Sequence, residues 1–549
     1  MSIMKRILAS VLSVSVIAGF TVTAQATPVK PHGELARQNI VEMGDAYVAQ
    51  NVNEPSVIVS SQNIPAVYSS VELGYTTNVK DQGNRNTCWA YATTSVFETL
   101  LNIDGKYTKP FSASHMDSWA TVRNDGSGWL RNYNDGASVL SPTGYLASWQ
   151  GPKYESDYPD NNPLLPFSAL DTQTLPDYAA TGIMSLTGSS EETIKRAIMK
   201  YGAVWGSYSD VTENFSLDFT SYYCNSVSRE SGHAVTVVGW NDYYPAYFFT
   251  GDAGTPRSNG AWLVQNSWGE GIHNGSGYFW ISYEDANFLK DVFDSYCIVS
   301  YDRPKSNNKI HQLETFGSLS HLYFTDWPDE MQFMNTYKFS NDEKLDKVIF
   351  SYSKPGVRYR IYYIPIDSRT GMPTGDDGKR VLIGSGTTNY SGYICADITD
   401  YALPSGEGAI SIGVFPGSDD IVDTVGVSYD SAGYFINPSK VDGECYVSYF
   451  NGFENYVAPA SDLGDDYTFS IKAITYTGEK QIDPNDHKLG DVNVDGEIDS
   501  ADATYVLQYF AGIISSDAVF ILKNADVNID GYIDSADATI ILQITAGII

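Results

Sequence analysis

The chain has 549 residues, and its 66 Asp and Glu against 34 Lys and Arg give a net charge of −32. This length predicts about three or four domains, while a hydrophobic share of 42% with 13% aromatic residues excludes a disordered protein. The excess of acid argues against a nucleic-acid or anionic-membrane partner, which would require a basic face, and the odd count of five cysteines indicates one free thiol.

Residues 1–26 have the pattern of a secretory signal peptide. Lys5 and Arg6 supply the positive start, Ile7 to Phe20 the apolar stretch, and Ala24-Gln25-Ala26 a small-residue cleavage site. A membrane anchor is the alternative, but serines interrupt a run that is already too short to span a bilayer. No later segment approaches about 18 consecutive apolar residues. We therefore expect a soluble, secreted mature protein.

The next segments predict a leader followed by a mixed domain. Residues 27–63 are polar without a strong period, which is typical of a leader or short pro-segment. Residues 64–300 combine a helical stretch, Trp89–Leu101, with apolar strand-like runs at 234–238 and 262–264. Helices and strands come in blocks rather than in alternation, and this favours an α+β fold.

Cys88 stands at the start of the helical stretch. The apolar residues that recur at helical spacing, and so predict one buried face, are Trp89, Ala92, Val96 and Leu100. Thr87 is placed to cap this helix, which puts Cys88 in the first turn. Unpaired N–H groups and the helix dipole favour a thiolate at that position.

A base and its orienting group follow downstream. His233 opens an apolar strand 145 residues after Cys88, and Asn266 follows a further 33 residues on. The order Cys, His, Asn resembles a papain-like cysteine peptidase, and the resemblance covers roughly residues 64–300. It is carried by Gln82-Gly83, Cys88-Trp89-Ala90, Gly232-His233-Ala234-Val235, Asn266-Ser267-Trp268-Gly269 and the later Gly277-Tyr278.

The resemblance implies a role for each of these residues. Cys88 is the nucleophile and His233 its general base, then the acid for the leaving amine. Asn266 orients the imidazole, and Gln82 with the Cys88 N–H forms the oxyanion hole. No cofactor is needed for this catalysis. The substrate shell comprises Trp89, Gly136, Ala137, Ala234 and Trp268, with Trp268 shielding the His–Asn bond from water.

The sequence also departs from the family pattern. The cysteine that the family commonly carries three residues before the nucleophile is Arg85 here, so we expect packing to supply the local rigidity. The Gly-Gly wall that binds the substrate backbone corresponds to Gly136-Ala137, and the leader is shorter than a typical inhibitory pro-domain. The cysteines other than Cys88 form two disulfides or none: Cys224, Cys297, Cys395 and Cys445.

Residues 301–312 are polar and predict a linker, and residues 313–478 predict an all-β sandwich. Short runs rich in Tyr, Val and Ile, such as Val357–Ile364, are separated by turn residues. This region resembles the lectin-like domain that accompanies some bacterial papain-like peptidases, in the strings 431–435, 449–452 and 469–473. Exposed aromatics could stack on carbohydrate, and an aromatic-rich core is the alternative.

A linker at 479–489 leads to an internal repeat with a period of 35 residues. The shared pattern places oxygen ligands at the spacing of a calcium loop, with a glycine at the sharp turn. The two predicted ligand sets, for two Ca²⁺ ions, are Asp491, Asn493, Asp495, Glu497 (carbonyl), Asp499 and Asp502, and Asp526, Asn528, Asp530, Tyr532 (carbonyl), Asp534 and Asp537. Two plain acidic turns are the alternative.

Each loop is followed by a predicted helix, 501–511 and 536–546, but no amphipathic helix precedes Asp491 and position 12 is Asp. This arrangement over residues 490–549 resembles a small, α-helical type I dockerin. The resemblance implies a cohesin domain of a cellulosomal scaffoldin as partner, and hence a setting of polysaccharide catabolism. The positions that resemble cohesin-contacting ones are Ser500, Ala501, Leu507, Gln508, Ser535, Ala536, Leu542 and Gln543.

Together these features predict a secreted cysteine endopeptidase that acts on protein or peptide substrates through a thioester. A dockerin would tether it to a cellulosome, outside the cell. Two alternatives stay open: a catalytically silent peptidase fold that presents the lectin-like module, and a transpeptidase that uses the same thioester.

Overall fold

The computed structural model describes residues 40–43, 63–107, 109–123, 128–129, 131–133, 135–160, 167, 170, 174–228, 232–324, 330–416, 422–423, 425–428, 435–437, 445–450, 455–463, 467–480, 489–493, 498–514, 524–528 and 532–546. The chain divides into two compact units, residues 1–478 and 479–549. The predicted signal peptide and all of the leader except 40–43 and 63 lie outside the described residues. No helix in the described ranges is long and apolar enough to cross a membrane.

The helices of the first unit are α1 (Cys88–Ile103), α2 (Ala113–Trp119), α3 (Leu140–Ala147) and α4 (Glu191–Tyr201). Helix α1 is buried continuously from Trp89 to Leu101, so the expected solvent-facing side is wrong. Several of its polar side chains make hydrogen bonds inside the protein. The hydroxyl of Thr93 donates to the Trp89 carbonyl at 2.7 Å, and Glu98 accepts from Lys80 at 2.6 Å.

The strands of residues 40–302 are β1 (Ile40–Met43), β2 (Val67–Ser69), β3 (Gly128–Trp129), β4 (Ala179–Ser185), β5 (Val204–Ser209), β6 (Ser221–Tyr222), β7 (Gly232–Asn241), β8 (Ala261–Gln265), β9 (Tyr278–Ser282) and β10 (Tyr296–Asp302). All of them except β1 and β3 belong to one sheet, in the order β4-β10-β5-β7-β8-β9-β6 with β2 on β7. The predicted strand-like runs lie in β7 and β8, and the α+β prediction is confirmed.

Helix α1 packs against β7, and this contact positions the site. The hydroxyl of Thr236 in β7 donates to the carbonyl of Ala92 in α1 at 3.2 Å. The indole of Trp205 in β5 donates to the Trp89 carbonyl at 3.2 Å. As a result, the first residue of α1 and the second residue of β7 face each other.

The strands of residues 308–477 are β11 (Asn308–Gln312), β12 (His321–Phe324), β13 (Met331–Phe339), β14 (Glu343–Tyr352), β15 (Arg358–Pro365), β16 (Val381–Thr387), β17 (Gly392–Ala402), β18 (Gly406–Val414), β19 (Val422–Asp423), β20 (Val427–Ser428), β21 (Phe435–Asn437), β22 (Cys445–Phe450), β23 (Asn455–Pro459), β24 (Thr468–Phe469) and β25 (Ile471–Thr477). One antiparallel sheet has the order β16-β15-β18-β13-β22-β23, and another series runs β11-β25-β14-β17. Side chains join them: Tyr337 of β13 donates to the Ile471 carbonyl of β25 at 2.6 Å. The predicted antiparallel sandwich is confirmed.

The aromatic residues of this sandwich mostly fill its core. Phe333, Phe350 and Phe469 are fully buried, and Phe333 meets Phe469 edge to face with ring centroids 5.3 Å apart. None of the aromatic side chains of 313–478 whose burial the structure describes is exposed. These contacts favour the core interpretation of the aromatic content over sugar stacking. Residues 431–434 and 451–452, two of the strings behind the resemblance, lie outside the described residues.

The predicted linker at 301–312 is wrong, because most of it is strand. Residues 301 and 302 end β10, and β11 occupies 308–312 and pairs in antiparallel register with β25. The polar sequence of β11 did not indicate a strand, because its hydrogen-bonding partner, β25, lies about 160 residues later in the chain. In addition, β17 pairs with β4 through Gly392–Met184 and Tyr393–Ile183. One twelve-stranded sheet therefore runs through both parts of the first unit.

The second unit contains α5 (Ser500–Phe510) and α6 (Ser535–Thr545). Each begins and ends one residue before the prediction. Its core consists of small and branched apolar residues from the two repeats: Val492, Ala503, Val506, Ala525, Ala538 and Ile541. The two copies thus bury equivalent faces against each other, and the small α-helical fold is confirmed.

Candidate active site

Cys88 is the first residue of α1, as predicted. Thr87 occupies the N-cap position, but its side chain makes no capping hydrogen bond. The predicted cap is therefore right in position and wrong in chemistry. The helix N-terminus keeps its N–H groups for other partners, and hydrogen bonding from the Trp89 backbone is one of the influences that lower the pKa of the Cys88 thiol.

Cys88 and His233 form a coupled pair. Burial opposes charge on both groups, yet the His233 imidazolium brings the pKa of Cys88 below its usual range. In turn the Cys88 thiolate, helped by Asp210 and Asn266, raises the pKa of His233 to about 9. The backbone N–H of Ala234 lies 3.5 Å from Sγ of Cys88 and donates to it. This environment favours the thiolate–imidazolium form of the pair.

Asn266 and Trp268 hold the imidazole. Nε2 of His233 donates to Oδ1 of Asn266 at 2.8 Å, which leaves Nδ1 for the thiol. The Trp268 ring lies over the imidazole, with ring centroids 4.7 Å apart at 34°. Asn266 is 4% exposed and His233 is 5% exposed, so water is largely excluded from the bond between them.

Gln82, the residue expected to line the oxyanion hole, is anchored by three hydrogen bonds. Its backbone N–H donates to the Ser267 carbonyl at 2.8 Å, and the Ser267 hydroxyl donates to Oε1 of Gln82 at 2.6 Å. Nε2 donates one hydrogen to the Arg85 carbonyl at 2.5 Å. The loop of Gln82 is thereby joined to the loop that carries Asn266.

Arg85 takes over the stabilising role that the family gives to a disulfide. Its guanidinium donates to the Gln82 carbonyl at 3.2 Å, to the Ser114 hydroxyl at 2.9 Å and to the Tyr91 hydroxyl at 2.5 Å. Three bonds from one planar group fix the loop before the nucleophile to α1 and α2. The rigidity that was expected from packing is supplied at this position by hydrogen bonds.

The expected substrate wall lies on an anchored loop. Gly136 is exposed and Ala137 half-buried, and a Cβ on Gly136 would meet nothing within 4 Å. Arg131 holds this loop by donating to the Asp135 carbonyl at 2.5 Å and by an ion pair with Asp117 at 2.5 Å. Its guanidinium also lies 5.0 Å from the ring centroid of Trp89. Trp89 is 1% exposed, and its contact with this loop is through Arg131.

Three further residues belong to the site: His273 and Asp210 lie outside the sequence motifs, and Ser267 stands within a motif that gave it no role. His273, 2% exposed, is bonded to Nδ2 of Asn266 at 2.7 Å. Asp210, just after β5, raises the pKa of His233. Ser267 acts through the Gln82 contact described above. His273 and Asp210 can be recognised as site residues only in the folded structure, where β5, β7 and the 266–278 loop lie together.

The remaining cysteines are free thiols. Cys224, Cys297, Cys395 and Cys445 form no disulfide in the structure, so the alternative of no bridges is the one observed. Burial raises the pKa of both Cys297 and Cys395 far above that of an exposed thiol. Of the five cysteines, Cys88 is the one held beside an imidazolium.

The two repeat loops use their last aspartate in the same way. Oδ1 of Asp502 accepts from the Val492 and Asn493 N–H groups at 2.7 and 3.0 Å, and Oδ2 accepts from Asp499 N–H at 2.8 Å. In the second copy Asp537 makes the equivalent bonds at 2.8, 3.2 and 2.9 Å. Both aspartates are fully buried. Asp499 and Asp534 cap α5 and α6.

The donor set of these loops is all oxygen, as Ca²⁺ requires, and the buried Asp502 and Asp537 fit such a site. Asp495, Glu497 and Asp530 lie outside the described residues. Among the residues described, no three acidic, His or Cys side chains form a metal-ligating group. Each loop would hold the ion through Asp491, Asn493, Asp499 and Asp502, or through Asp526, Asn528, Tyr532, Asp534 and Asp537.

The expected cohesin-contact positions are accessible. Ser500, Ala501 and Leu507 on α5 are exposed and Gln508 is half-buried. The corresponding residues of α6 repeat this pattern, in the order Ser535, Ala536, Leu542 and Gln543. Leu507 and Leu542 are 44% and 45% exposed, so each helix presents the same surface.

Comparison with protein families assigns three segments. Residues 65–292 match the papain family cysteine protease model, residues 310–475 the lectin-like domain, and residues 489–543 the type I dockerin domain. These segments agree with the resemblances in the sequence.

Comparison with individual proteins gives the same result. A crystal structure of the cysteine protease and lectin-like domains of Cwp84, a surface layer associated protein of Clostridium difficile, superposes with a TM-score of 0.67 at 32% identity and covers 78% of this chain and 91% of that one. Rat cathepsin S is 26% identical over 48% of this chain and 75% of its own length. A cathepsin L-like proteinase of Fasciola hepatica is 28% identical over 36% of this chain and 54% of its own length.

Proposed function

The chain belongs to the papain family of cysteine proteases, and we propose that it is a secreted endopeptidase attached to a cellulosome scaffold by a calcium-dependent dockerin. The observation that carries the catalytic part is the Cys88–His233–Asn266 arrangement at the N-terminus of α1. A silent fold would have no need for a lowered thiol pKa beside a hydrogen-bonded imidazolium.

In the proposed acylation step, Sγ of Cys88 attacks the carbonyl carbon of the scissile peptide bond. The carbonyl oxygen becomes an oxyanion that accepts hydrogen bonds from Gln82 Nε2 and the Cys88 backbone N–H. His233 then donates its proton to the leaving nitrogen as the C–N bond breaks. The amine product leaves, and the acyl group stays on Cys88 as a thioester.

In the proposed deacylation step, neutral His233 accepts a proton from a water molecule. The resulting hydroxide attacks the thioester carbon, and the same two donors stabilise the second oxyanion. The C–S bond breaks, the acid product leaves, and the thiolate–imidazolium pair is restored. An amine acceptor in place of water would make the chain a transpeptidase, so the products of the reaction distinguish the two.

Labelling of the nucleophile tests the catalytic proposal. The full chain is treated with a peptidyl epoxide and digested for mass spectrometry, with Cys88→Ala and Cys224→Ala as matched variants. We expect one adduct, on Cys88, in the wild type and in Cys224→Ala, together with casein cleavage. An unlabelled Cys88 and intact casein would favour the alternative, a silent fold that presents its lectin-like module.

The dockerin proposal rests on the paired loops and the two accessible helix faces. Cohesin of a scaffoldin is the expected partner, and binding in either of two orientations is expected because α5 and α6 present equivalent residues. Immobilised cohesin should capture the chain in calcium buffer and release it in EDTA. Capture of equal strength in EDTA would contradict a calcium-dependent dockerin.

An extracellular setting fits the same proposal. The pattern of residues 1–26 supports export, a dockerin supports association with a scaffold outside the cell, and Cwp84 is a surface layer associated protein. Residues 27–63 would form a leader or short pro-segment, of which β1 pairs with β12. A carbohydrate ligand for the lectin-like domain receives no support from the buried aromatics described above.

A further inference from the structure

Asn266 is held at both ends of its side-chain amide. Oδ1 accepts from Nε2 of His233 at 2.8 Å and from the Ser267 N–H at 2.8 Å. At the other end, Nδ2 lies 2.7 Å from Nε2 of His273. Because Nδ2 can only donate, Nε2 of His273 must carry a free lone pair.

The second nitrogen of His273 completes a defined chain of hydrogen bonds. Nδ1 donates to the Phe219 carbonyl at 2.5 Å, which fixes the neutral Nδ1–H form of the ring. The ring is also clamped by stacking on Phe279 and Trp268, with centroids 4.6 and 5.8 Å apart. The series Phe219, His273, Asn266 and His233 therefore has one direction of donation throughout.

The backbone around this histidine adopts a conformation that is rare outside glycine. Phe219, His273 and Asn274 have φ values of 57°, 55° and 58°, all in the left-handed region. Such residues persist where surrounding contacts over-determine them, and they concentrate at functional sites. Here the left-handed residues are at both ends of the Phe219–His273 hydrogen bond.

We propose that His273 is a positioning residue, which holds the Asn266 amide with Oδ1 toward His233 and thereby fixes the imidazolium that transfers the proton. The inference rests on the proposed peptidase function. A flipped amide would set Nδ2 against the N–H of His233 and leave Nε2 of His273 facing an oxygen, so both bonds would be lost together.

The surroundings of His273 keep it neutral. Burial has the largest influence and lowers its pKa, the hydrogen bond to the Phe219 carbonyl opposes this, and the positive charge of His233 lowers the pKa by a smaller amount. The other titratable groups near it are Glu72, Tyr244 and Tyr278, which line the same cavity, and Asp218 beside Phe219, which accepts from Ser216 and Thr220. A proton on His273 would turn its acceptor into a donor and break the contact with Asn266.

A double-mutant cycle tests this role in the full chain. The variants are His273→Phe, which keeps the stacked ring and loses both hydrogen bonds, and His273→Gln, which keeps an acceptor, each alone and combined with Asn266→Ala. Asn274→Gly, a neighbour with the same backbone conformation, is the control. The readouts are kcat and KM on a peptide substrate across pH, with melting temperature and near-UV circular dichroism to follow folding.

We expect His273→Phe to lower kcat by about 10- to 100-fold with little change in KM, and His273→Gln to recover part of that loss. The high-pH limb of activity should move to lower pH, because the Asn266 hydrogen bond helps to raise the pKa of His233. In the Asn266→Ala background the same substitution should change kcat by less than about 2-fold. Asn274→Gly should match the wild type.

Two results would overturn the inference: an unchanged kcat in folded His273→Phe, or an equal loss with and without Asn266. The second would assign His273 to the structure of the loop alone. If His273→Phe fails to fold, His273→Gln provides the test. An unaltered pH profile in His273→Gln, or an effect on kcat that is the same with and without Asn266, would contradict the role. An inactive wild-type chain would instead contradict the proposed function itself.

Discussion

Nη1 of Arg85 donates a 2.9 Å hydrogen bond to the hydroxyl of Ser114, and this contact joins the loop before the nucleophile to the first turn of α2. The same guanidinium reaches the Gln82 carbonyl. The oxyanion-binding residue is thus held by a side chain that stands where relatives commonly place a cysteine. Because hydrogen bonds do not depend on redox conditions, this loop should keep its geometry in reducing surroundings.

Removal of the Arg85 guanidinium should therefore lower kcat/KM while changing the stability of the fold little. Arg85→Met preserves much of the apolar stem, but it frees Gln82 to move, so kcat/KM should fall by about 10-fold. Steady-state kinetics with a peptide substrate measures this. Arg257→Met, at an arginine whose side chain is 92% exposed, should have no effect, and an equal loss in both variants would show that charge alone matters.

The pH dependence follows from the coupled pair. The pKa of Cys88 is lowered despite its burial, so its thiolate forms at lower pH than that of an ordinary thiol, and the pKa of His233 is raised to about 9. Activity needs the protonated imidazole with the thiolate, and should fall on the alkaline side near pH 9. Asp210 contributes to the raised value, so Asp210→Asn should move that limb to lower pH. The exposed Asp252→Asn should leave the limb in place, and a limb unmoved by Asp210→Asn would exclude its electrostatic role.

Gly136 tests the proposed substrate wall. A Cβ there meets nothing within 4 Å, and the same is true of the exposed Gly271. Gly136→Val should fold with an unchanged melting temperature while raising KM by about 10-fold, because the side chain projects into the space that the substrate backbone would occupy. Gly271→Val should alter neither quantity. Normal KM in Gly136→Val would place the substrate elsewhere.

Calcium removal should affect the function of residues 479–549 and leave that of residues 1–478 intact. The helices α5 and α6 begin at capping boxes in which Asp502 and Asp537 hold the loops, and without a cation the clustered carboxylates repel each other. EGTA should reduce helical circular dichroism and abolish cohesin binding. Peptide hydrolysis should continue, because the proposed thioester mechanism involves no metal ion. Loss of both activities in EGTA would require a calcium site elsewhere.

The Lys472–Glu314 pair offers a stability test in the sandwich. Nζ of Lys472 lies 2.7 Å from Oε1 of Glu314, and their side chains are 1% and 2% exposed. Glu314→Gln leaves a buried ammonium without its counter-charge and should cost about 3 to 5 kcal/mol in the free energy of unfolding. The double variant Glu314→Gln/Lys472→Met should recover part of it. Denaturant unfolding measures the stability of the single and the double variant. If the two were equally stable, the Lys472 ammonium would have to be solvated in Glu314→Gln.

The sequence alone was sufficient to predict the site residues that lie in short motifs at the ends of a helix, strand or turn. The helix after Cys88, the strand of His233 and the turn of Asn266 follow from short motifs, and the paired loops follow from their repeat. The missed features depend on distant partners: Ser114 stands 29 residues from Arg85, and the mate of the polar strand β11 is β25. The role of His273 also depends on a left-handed backbone, which no motif announces. Burial of the polar side of α1 was invisible because its hydroxyls bond within the helix.

The shared pairing of β4 with both β10 and β17 has a consequence for how such chains can be recombined. A cut near residue 300 would strip partners from the Ile183–Met184 edge and leave unpaired backbone groups that invite aggregation. The protease domain and the sandwich should therefore be kept together in one chain when the protein is expressed or engineered. Residues 479–549 form a compact unit of their own, so the natural place for exchange between different enzymes is the stretch just after Gly478.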